Sequence, residues 1–336
     1  MTDCSNMHVA TIEKVVSVRE HPNADLLQIA TILGWDVVCK KQDCQKDELV
    51  VFINIDSIVD PHPFFHFLKA KSYQIKPIKI RGHISQGLIV PIKDLQQFGF
   101  TKIQELSIGS DVSKIVGAKH YEKIEPSRTT GKSKGLFPSF LFKTNENNLR
   151  NFPLAIEEIK DKEVYITQKI DGTSVTFYVK SGRFGVCSRT LDLQEDENHY
   201  WNMVKKYDLA FKMLNLDDDI AIQGEIYGPS IQNNSSGIKQ ISFAAFNIFD
   251  IKRLNYGSLQ ELTDFCSTND IPQAKIIYRG KMNFELKDLI RMASEQFYDN
   301  NNPCEGIVIR TVEPINSKCM ALNRWSAKVL NENYDI

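Results

Sequence analysis

The run Val164-Tyr165-Ile166-Thr167-Gln168-Lys169-Ile170-Asp171-Gly172-Thr173-Ser174-Val175-Thr176-Phe177-Tyr178-Val179 decides how this chain is read. β-Branched and aromatic residues dominate on both sides of Lys169-Ile170-Asp171-Gly172, a pattern that predicts strand, turn, strand. Side chains alternate along a strand, so Lys169 and Asp171 share a face if the first strand reaches Asp171. Gly172 permits a sharp bend and close approach of a ligand to the backbone. A lysine held at such a bend beside an acid can act as a nucleophile. Taken alone, the four residues fit a surface hairpin with a solvated lysine better, because the motif is short.

What surrounds this run narrows the choice. The 336 residues suffice for two domains with two cores. Apolar content of 42% and charged content of 25% describe an ordinary soluble globular protein. With a net charge of −1 there is no global field for a polyanion, so any nucleic-acid site is a local patch. The cysteines at 4, 39, 44, 187, 266, 304 and 319 form no C-x-x-C pair and no zinc spacing. Reduced thiols in a cytoplasmic or nuclear protein are expected. Met1-Thr2-Asp3-Cys4-Ser5-Asn6 lacks the features of a secretory signal or transit peptide, and no apolar run reaches membrane-spanning length. No membrane partner is expected.

Beyond the opening run, chemically distinctive stretches follow in order. They are Val186-Cys187-Ser188-Arg189-Thr190, the apolar strand Ile220–Ile226 with Gly224-Glu225-Ile226-Tyr227-Gly228, and the aromatic strand around Phe246-Asn247-Ile248-Phe249-Asp250. Glu305-Gly306-Ile307-Val308-Ile309-Arg310 and Arg324-Trp325-Ser326-Ala327-Lys328 close the series. Apolar residues at helical spacing predict helices over Asn198–Leu214, Leu259–Asn269 and Leu286–Asn300. Mainly antiparallel strands with interspersed helices give an α+β domain over 146–336.

Residues 1–118 read differently. Short β-rich runs at Val9–Val18, Leu26–Leu33, Asp36–Val38, Leu49–Ile55, Ile75–Ile80 and Gly87–Pro91 are separated by turn residues, which predicts a small all-β barrel or sandwich. Asp60–Lys76 carries many aromatics and is expected to hold a short helix packed on the barrel. His62, His66 and His83 have no ligand spacing. Between the domains, residues 119–145 and the adjoining Arg150 form a basic connector, with Ser127–Gly135 as a flexible loop. It is either a solvated linker or a phosphate-binding lid. Gly131-Lys132-Ser133 is not a P-loop, because Pro126 stands where the first glycine is required.

Two resemblances rest on these segments. His21-Pro22-Asn23-Ala24-Asp25-Leu26-Leu27, with Lys79-Ile80-Arg81-Gly82-His83-Ile84-Ser85-Gln86-Gly87-Leu88, resembles the OB-fold tRNA-binding domain of some aminoacyl-tRNA synthetases and related proteins. That implies an RNA-binding barrel; plain turn chemistry fits the same residues. The ordered set in the second half resembles the covalent lysine nucleotidyltransferase superfamily of polynucleotide ligases and RNA capping enzymes. Lys169–Gly172 matches motif I, Ser188–Thr190 motif Ia, Gly224–Gly228 motif III, Phe246–Asp250 motif IIIa, Glu305–Arg310 motif IV and Trp325–Lys328 motif V. The expected fold is therefore an N-terminal OB-fold barrel followed by an α+β nucleotidyltransferase domain.

The resemblance implies roles. Lys169 would carry the nucleotide. Such a lysine attacks only as the neutral amine, so a pKa of about 10.4 must fall by about three at neutral pH. Burial or a metal cation could do this. Asp171, Glu225 and Glu305 would hold Mg²⁺ or Mn²⁺ through water, Phe246 would stack on the base, and Arg189 and Lys328 would meet phosphate. Gln168 and Gly172 would line the nucleotide pocket. Many ligases carry Lys-x-Lys in motif V; here Ser326 stands at the first of those lysines.

Domain order narrows the resemblance to the Naegleria-type clade of ATP-dependent RNA ligases, in which an OB domain precedes the nucleotidyltransferase. The implied enzyme is a monomer. It uses ATP to join 5′-phosphate and 3′-OH RNA ends, such as those of a nicked duplex, through lysyl-AMP and RNA-adenylate, as in RNA repair. With no OB domain after motif V, Lys143 or Arg150 would assist the triphosphate leaving group. The alternatives are a GTP-dependent capping-type guanylyltransferase, a DNA ligase, or a non-catalytic RNA-binding protein.

Overall fold

Alternating apolar residues in Ala10–Lys14, Leu49–Ile53 and Leu88–Pro91 place Ala10, Ile12, Val51, Ile53 and Val90 on one buried face, and these three strands pair antiparallel. They belong to the first of two units, Met1–Ile124 and Glu125–Asp335. The computed structural model describes residues 8–55, 57–121, 131–320 and 324–334.

The strand expected over Val9–Val18 is two strands. Ala10–Lys14 pairs with Leu49–Ile53, whereas Ser17–Glu20 pairs with Leu27–Ile32. The chain changes sheets at Val15–Val16, where one amide donates to the carbonyl of Glu48, just before strand Leu49–Ile53, and the other to that of Thr31 in strand Leu27–Ile32. Such switches let short strands curl into a barrel. The two segments behind the first resemblance meet: His21 Nε2 lies 3.0 Å from the Ile80 carbonyl, and Asn23 Nδ2 donates to the Arg81 carbonyl at 3.0 Å. The predicted short helix is Pro63–Lys71, of 3₁₀ type, which buries Phe65 and Leu68 against the barrel.

The second unit is built on two sheets. One has seven strands in the order Ser133–Leu136, Leu191–Leu193, Arg183–Cys187, Thr173–Lys180, Ile220–Tyr227, Ser242–Asp250, Asn255–Tyr256. The other has five in the order Asn147–Asn148, Ser326–Leu330, Gly306–Thr311, Glu163–Lys169, Ile276–Lys281. The pairings are antiparallel except for Asn147–Asn148 beside Ser326–Leu330. Val175, Phe177, Ile222 and Ile226 pack the larger sheet on helices His199–Tyr207, Leu209–Leu214 and Leu259–Thr268. Val164, Ile166, Ile307, Ile309, Ala327 and Val329 pack one face of the smaller sheet on helix Leu286–Ser294.

Further expectations are corrected. The strands flanking Lys169–Gly172 are not a hairpin: Glu163–Lys169 lies in the smaller sheet and Thr173–Lys180 in the larger, so the tetrapeptide crosses between sheets. The helix expected over Asn198–Leu214 breaks at Asp208, whose left-handed backbone (φ 52°) ends one helix and starts the next. The helix expected to Asn300 ends at Ser294, and the chain turns back through Phe297 and Pro303. The basic loop is described only from Gly131. There Ser133–Leu136 is no free linker but an exposed edge strand on Leu191–Leu193; residues 122–130 lie outside the described set. Among the described residues no helix is long and apolar enough to cross a membrane.

Candidate active site

Strand alternation sends Ile307, Ile309, Ala327 and Val329 into the core of the smaller sheet. Lys169, Val308, Arg310, Ser326 and Lys328 therefore share the opposite face. Register makes them neighbours: Lys169 is opposite Gly306, Val308 opposite Lys328, and Arg310 opposite Ser326. The same alternation turns Gln168 the other way. Its amide donates to the Phe297 carbonyl at 3.3 Å, bracing the turn after helix Leu286–Ser294 on the face away from Lys169.

Lys169 Nζ donates to Glu305 Oε2 at 2.5 Å. Burial opposes its charge, but Glu305, Glu225 and Asp171 together outweigh burial and hold the lysine above its ordinary range. The lowering expected of a nucleophile is thus reversed by these neighbours. Burial pushes the Glu225 carboxyl up to about 8; Lys169 works against this rise and Glu305 adds to it. Ser174, opposite Glu225 in register, donates to it at 3.2 Å.

The three acids exceed what one lysine neutralises, and this surplus fits a divalent cation. Among the described residues no three acids, histidines or cysteines are grouped to ligate an ion directly. Asp171, Glu225 and Glu305 therefore suit a hydrated Mg²⁺-like ion held through its waters.

Gly172 answers a need other than ligand approach. A Cβ there would stand 2.3 Å from the Ile226 carbonyl oxygen and 2.9 Å from Glu225 Cγ. The missing side chain lets the crossing lie against the Glu225 strand.

Phe246 sits at a register break. Gln223 pairs with Asn247 and Gly224 with Ala245, so Phe246 is the extra residue of a β-bulge. Bulges re-aim side chains. Its half-buried ring lies 5.3 Å from the Arg310 guanidinium on the other sheet. Arg310 in turn donates to Glu146 at 2.8 Å, and Arg324 reaches the same carboxylate at 3.1 Å. Although Glu146 is buried, the two guanidiniums hold its carboxyl down at about 2. Ser326, at the motif V position, is buried beside this cluster, so two arginines and one glutamate leave positive charge near the missing lysine.

Arg189 donates to Asn145 Oδ1 at 2.9 Å. Its buried Nε has no hydrogen-bond partner among the described residues, which suits an anionic ligand. Lys328 is half-buried on the cleft face and Lys143 is exposed. Arg150 is 1% exposed and donates to Glu332 at 2.7 Å.

Sequence reading missed the residues that hold Asp171. The Asp171 amide donates to Tyr298 Oη at 3.1 Å, and its carboxylate accepts from Ser235 Oγ at 3.2 Å. The available signal was the polar run Gln232-Asn233-Asn234-Ser235-Ser236-Gly237 soon after motif III, since loops on rigid scaffolds carry function.

Residues 162–330, half of the chain, match the RNA ligase family model. The chain belongs to the RNA ligase family. An OB-fold domain model matches residues 9–92 of this ligase, in agreement with its strand-rich first unit. No curated protein matches its sequence. Among solved structures, the ligase is similar to Naegleria gruberi RNA ligase with PPi, at 26% identity over 96% of each chain and a TM-score of 0.81. It is also similar to a lysine-to-alanine mutant of that enzyme with ATP and Mn, at 26% identity over 96% of this chain and 97% of that one, TM-score 0.81. A lysine-to-methionine mutant with AMP and Mn gives 26% identity over the same shares and a TM-score of 0.82. The fold is thus an OB-fold domain followed by an α+β ligase domain, and the chain is an RNA ligase.

Proposed function

We propose that this enzyme uses ATP and Mg²⁺ or Mn²⁺ to join 3′-OH and 5′-phosphate RNA ends through lysyl-AMP and RNA-adenylate. The observation that carries this reading is Lys169 at the crossing between the two sheets, acted on by Glu305, Glu225 and Asp171. The Naegleria gruberi enzyme's structures with ATP and Mn and with AMP and Mn support the choice of nucleotide and metal.

In the first step the neutral Lys169 amine attacks the α-phosphorus of ATP. An N–P bond forms, the bond from that phosphorus to the β-phosphate oxygen breaks, and pyrophosphate leaves. Glu305 Oε2, at 2.5 Å, is placed to receive the ammonium proton. A hydrated divalent cation on Asp171, Glu225 and Glu305 would offset their charge and lower the lysine's proton affinity. Lys328 and Arg189 neutralise charge developing on the α-phosphate. Phe246, backed by Arg310, stacks on the base. Next, a 5′-phosphate oxygen of RNA attacks the same phosphorus and Lys169 leaves. Finally a 3′-hydroxyl attacks the RNA 5′-phosphorus and AMP leaves.

Lys143 is the proposed contact for the leaving pyrophosphate. Arg150 can join it only if its pair with Glu332 opens. The proposed substrate is RNA with its ends in a nicked duplex, and the proposed enzyme is a monomer of the cytoplasm or nucleus.

Incubation with α-labelled ATP and Mg²⁺ or Mn²⁺ tests the reading. A covalent adduct is expected, lost in Lys169→Ala. No adduct from ATP or GTP overturns it, and an adduct from GTP alone moves the assignment to a capping-type enzyme. Sealing of nicked RNA in preference to nicked DNA is expected.

A further inference from the structure

We infer that Tyr334 is a positioning residue for Asp171, acting with Ser235, and that divalent-metal affinity depends on it. This rests on the proposed role of Asp171 in holding the metal. Asp171 stands in the crossing between sheets, outside any strand, so no sheet ladder fixes it. Hydroxyls from distant segments take that place. Tyr298 Oη accepts from its amide, Ser235 Oγ donates to its Oδ2 at 3.2 Å, and Tyr334 Oη lies 3.1 Å from Ser235 Oγ. The Tyr334 hydroxyl also interacts with the Asp171 carboxylate itself.

Both hydroxyls are anchored from behind. The Ser235 carbonyl accepts from the amides of Asn300 and Asn302 at 3.2 and 3.0 Å. The segment before Tyr334 is tied down where the Asn331 amide donates to the Glu305 carbonyl at 3.0 Å and Glu332 accepts from buried Arg150. One strap therefore touches two of the three acids, Glu305 through its backbone and Asp171 through the Tyr334 hydroxyl. A carboxylate that holds a hydrated ion through water must keep its direction, and hydrogen bonds behind it supply that constraint.

The test uses the full chain in a Lys169→Met background, which lacks the reacting amine, and measures Mn²⁺ affinity in the presence of ATP by calorimetry. Tyr334→Phe keeps the ring and removes only the hydroxyl. It is expected to weaken Mn²⁺ binding about tenfold. Ser235→Ala is expected to do the same, and the double variant to lose less than the sum of the two singles, since the two hydroxyls bond each other as well as the carboxylate. With Lys169 restored, the half-saturating Mn²⁺ concentration for adduct formation should rise about tenfold while the rate at saturating Mn²⁺ stays within twofold. Unchanged Mn²⁺ affinity in Tyr334→Phe, or additive losses in the double variant, overturns the inference. A wild type that takes no label from ATP overturns the functional reading instead.

Discussion

Lys169 Nζ and Glu305 Oε2 stand 2.5 Å apart, with side chains 21% and 22% exposed. Lys169 ends its strand opposite Gly306, the first residue of the neighbouring strand, and Glu305 immediately precedes that strand. The pair holds the lysine as an ammonium, whereas the proposed first step needs the amine. Glu305→Gln keeps the shape and removes the charge. Adduct formation should fall about 100-fold or more, since a proposed metal contact and proton acceptor are lost. Because Glu305 raises the Lys169 pKa, the residual activity should reach its plateau at lower pH than in the wild type. Single-turnover labelling across pH measures both effects.

Glu225 gives a pH signature in stability. Its carboxyl titrates near 8 in the folded chain against an ordinary 4.5. Between those values the folded state binds a proton that the unfolded state has lost, so stability falls as pH rises from about 4.5 to about 8. Glu225→Gln should remove this slope and stabilise the metal-free protein at pH 8 by about 2 kcal/mol, after discounting for partial exposure. Urea unfolding at pH 5 and pH 8 checks it.

Glu146 behaves in the opposite sense. Arg310 and Arg324 hold it at about 2 although it is buried. Its contribution is present above about 4.5 and lost as pH falls towards about 2. Glu146→Gln strands two buried guanidiniums and should cost about 3–5 kcal/mol in denaturant unfolding at pH 7. Because Arg310 also backs Phe246, the KM for ATP should rise in the same variant.

Gly172→Ala tests the crossing. The added methyl would meet the Ile226 carbonyl at 2.3 Å, so the strand end or the crossing must shift. A cost of about 1–3 kcal/mol is expected, with adduct formation down at least about tenfold and circular dichroism unchanged.

Much of this was legible in the amino-acid order. Period-two patterning marked the strands of both units, and six chemically unusual stretches in order marked the ligase domain. Lys169, Asp171, Glu225 and Glu305 were identifiable as candidates because each lies in or next to a β-rich run, in a short motif with a glycine beside an acid or within three residues of the lysine. Phe246 was ambiguous, since alternation alone makes an aromatic on such a strand a core residue. The bulge between Gln223 and Gly224 changes its direction, and a bulge depends on the partner strand. Tyr298 and Tyr334 sit in loops without periodicity, so nothing local singled them out, and the polar run around Ser235 marked a loop without picking the residue.

By itself, then, the sequence determined a barrel followed by an α+β ligase domain and singled out Lys169 as the candidate nucleophile, because strand patterning and short motifs are local properties. Tertiary structure alone decided that Lys169–Gly172 crosses between sheets, that Arg150 is spent on Glu332, and that Tyr334 comes to rest beside Asp171. Those outcomes depend on which strands pair and where loops close. Contacts between residues far apart in the chain settle such choices, and no window of the sequence contains both partners.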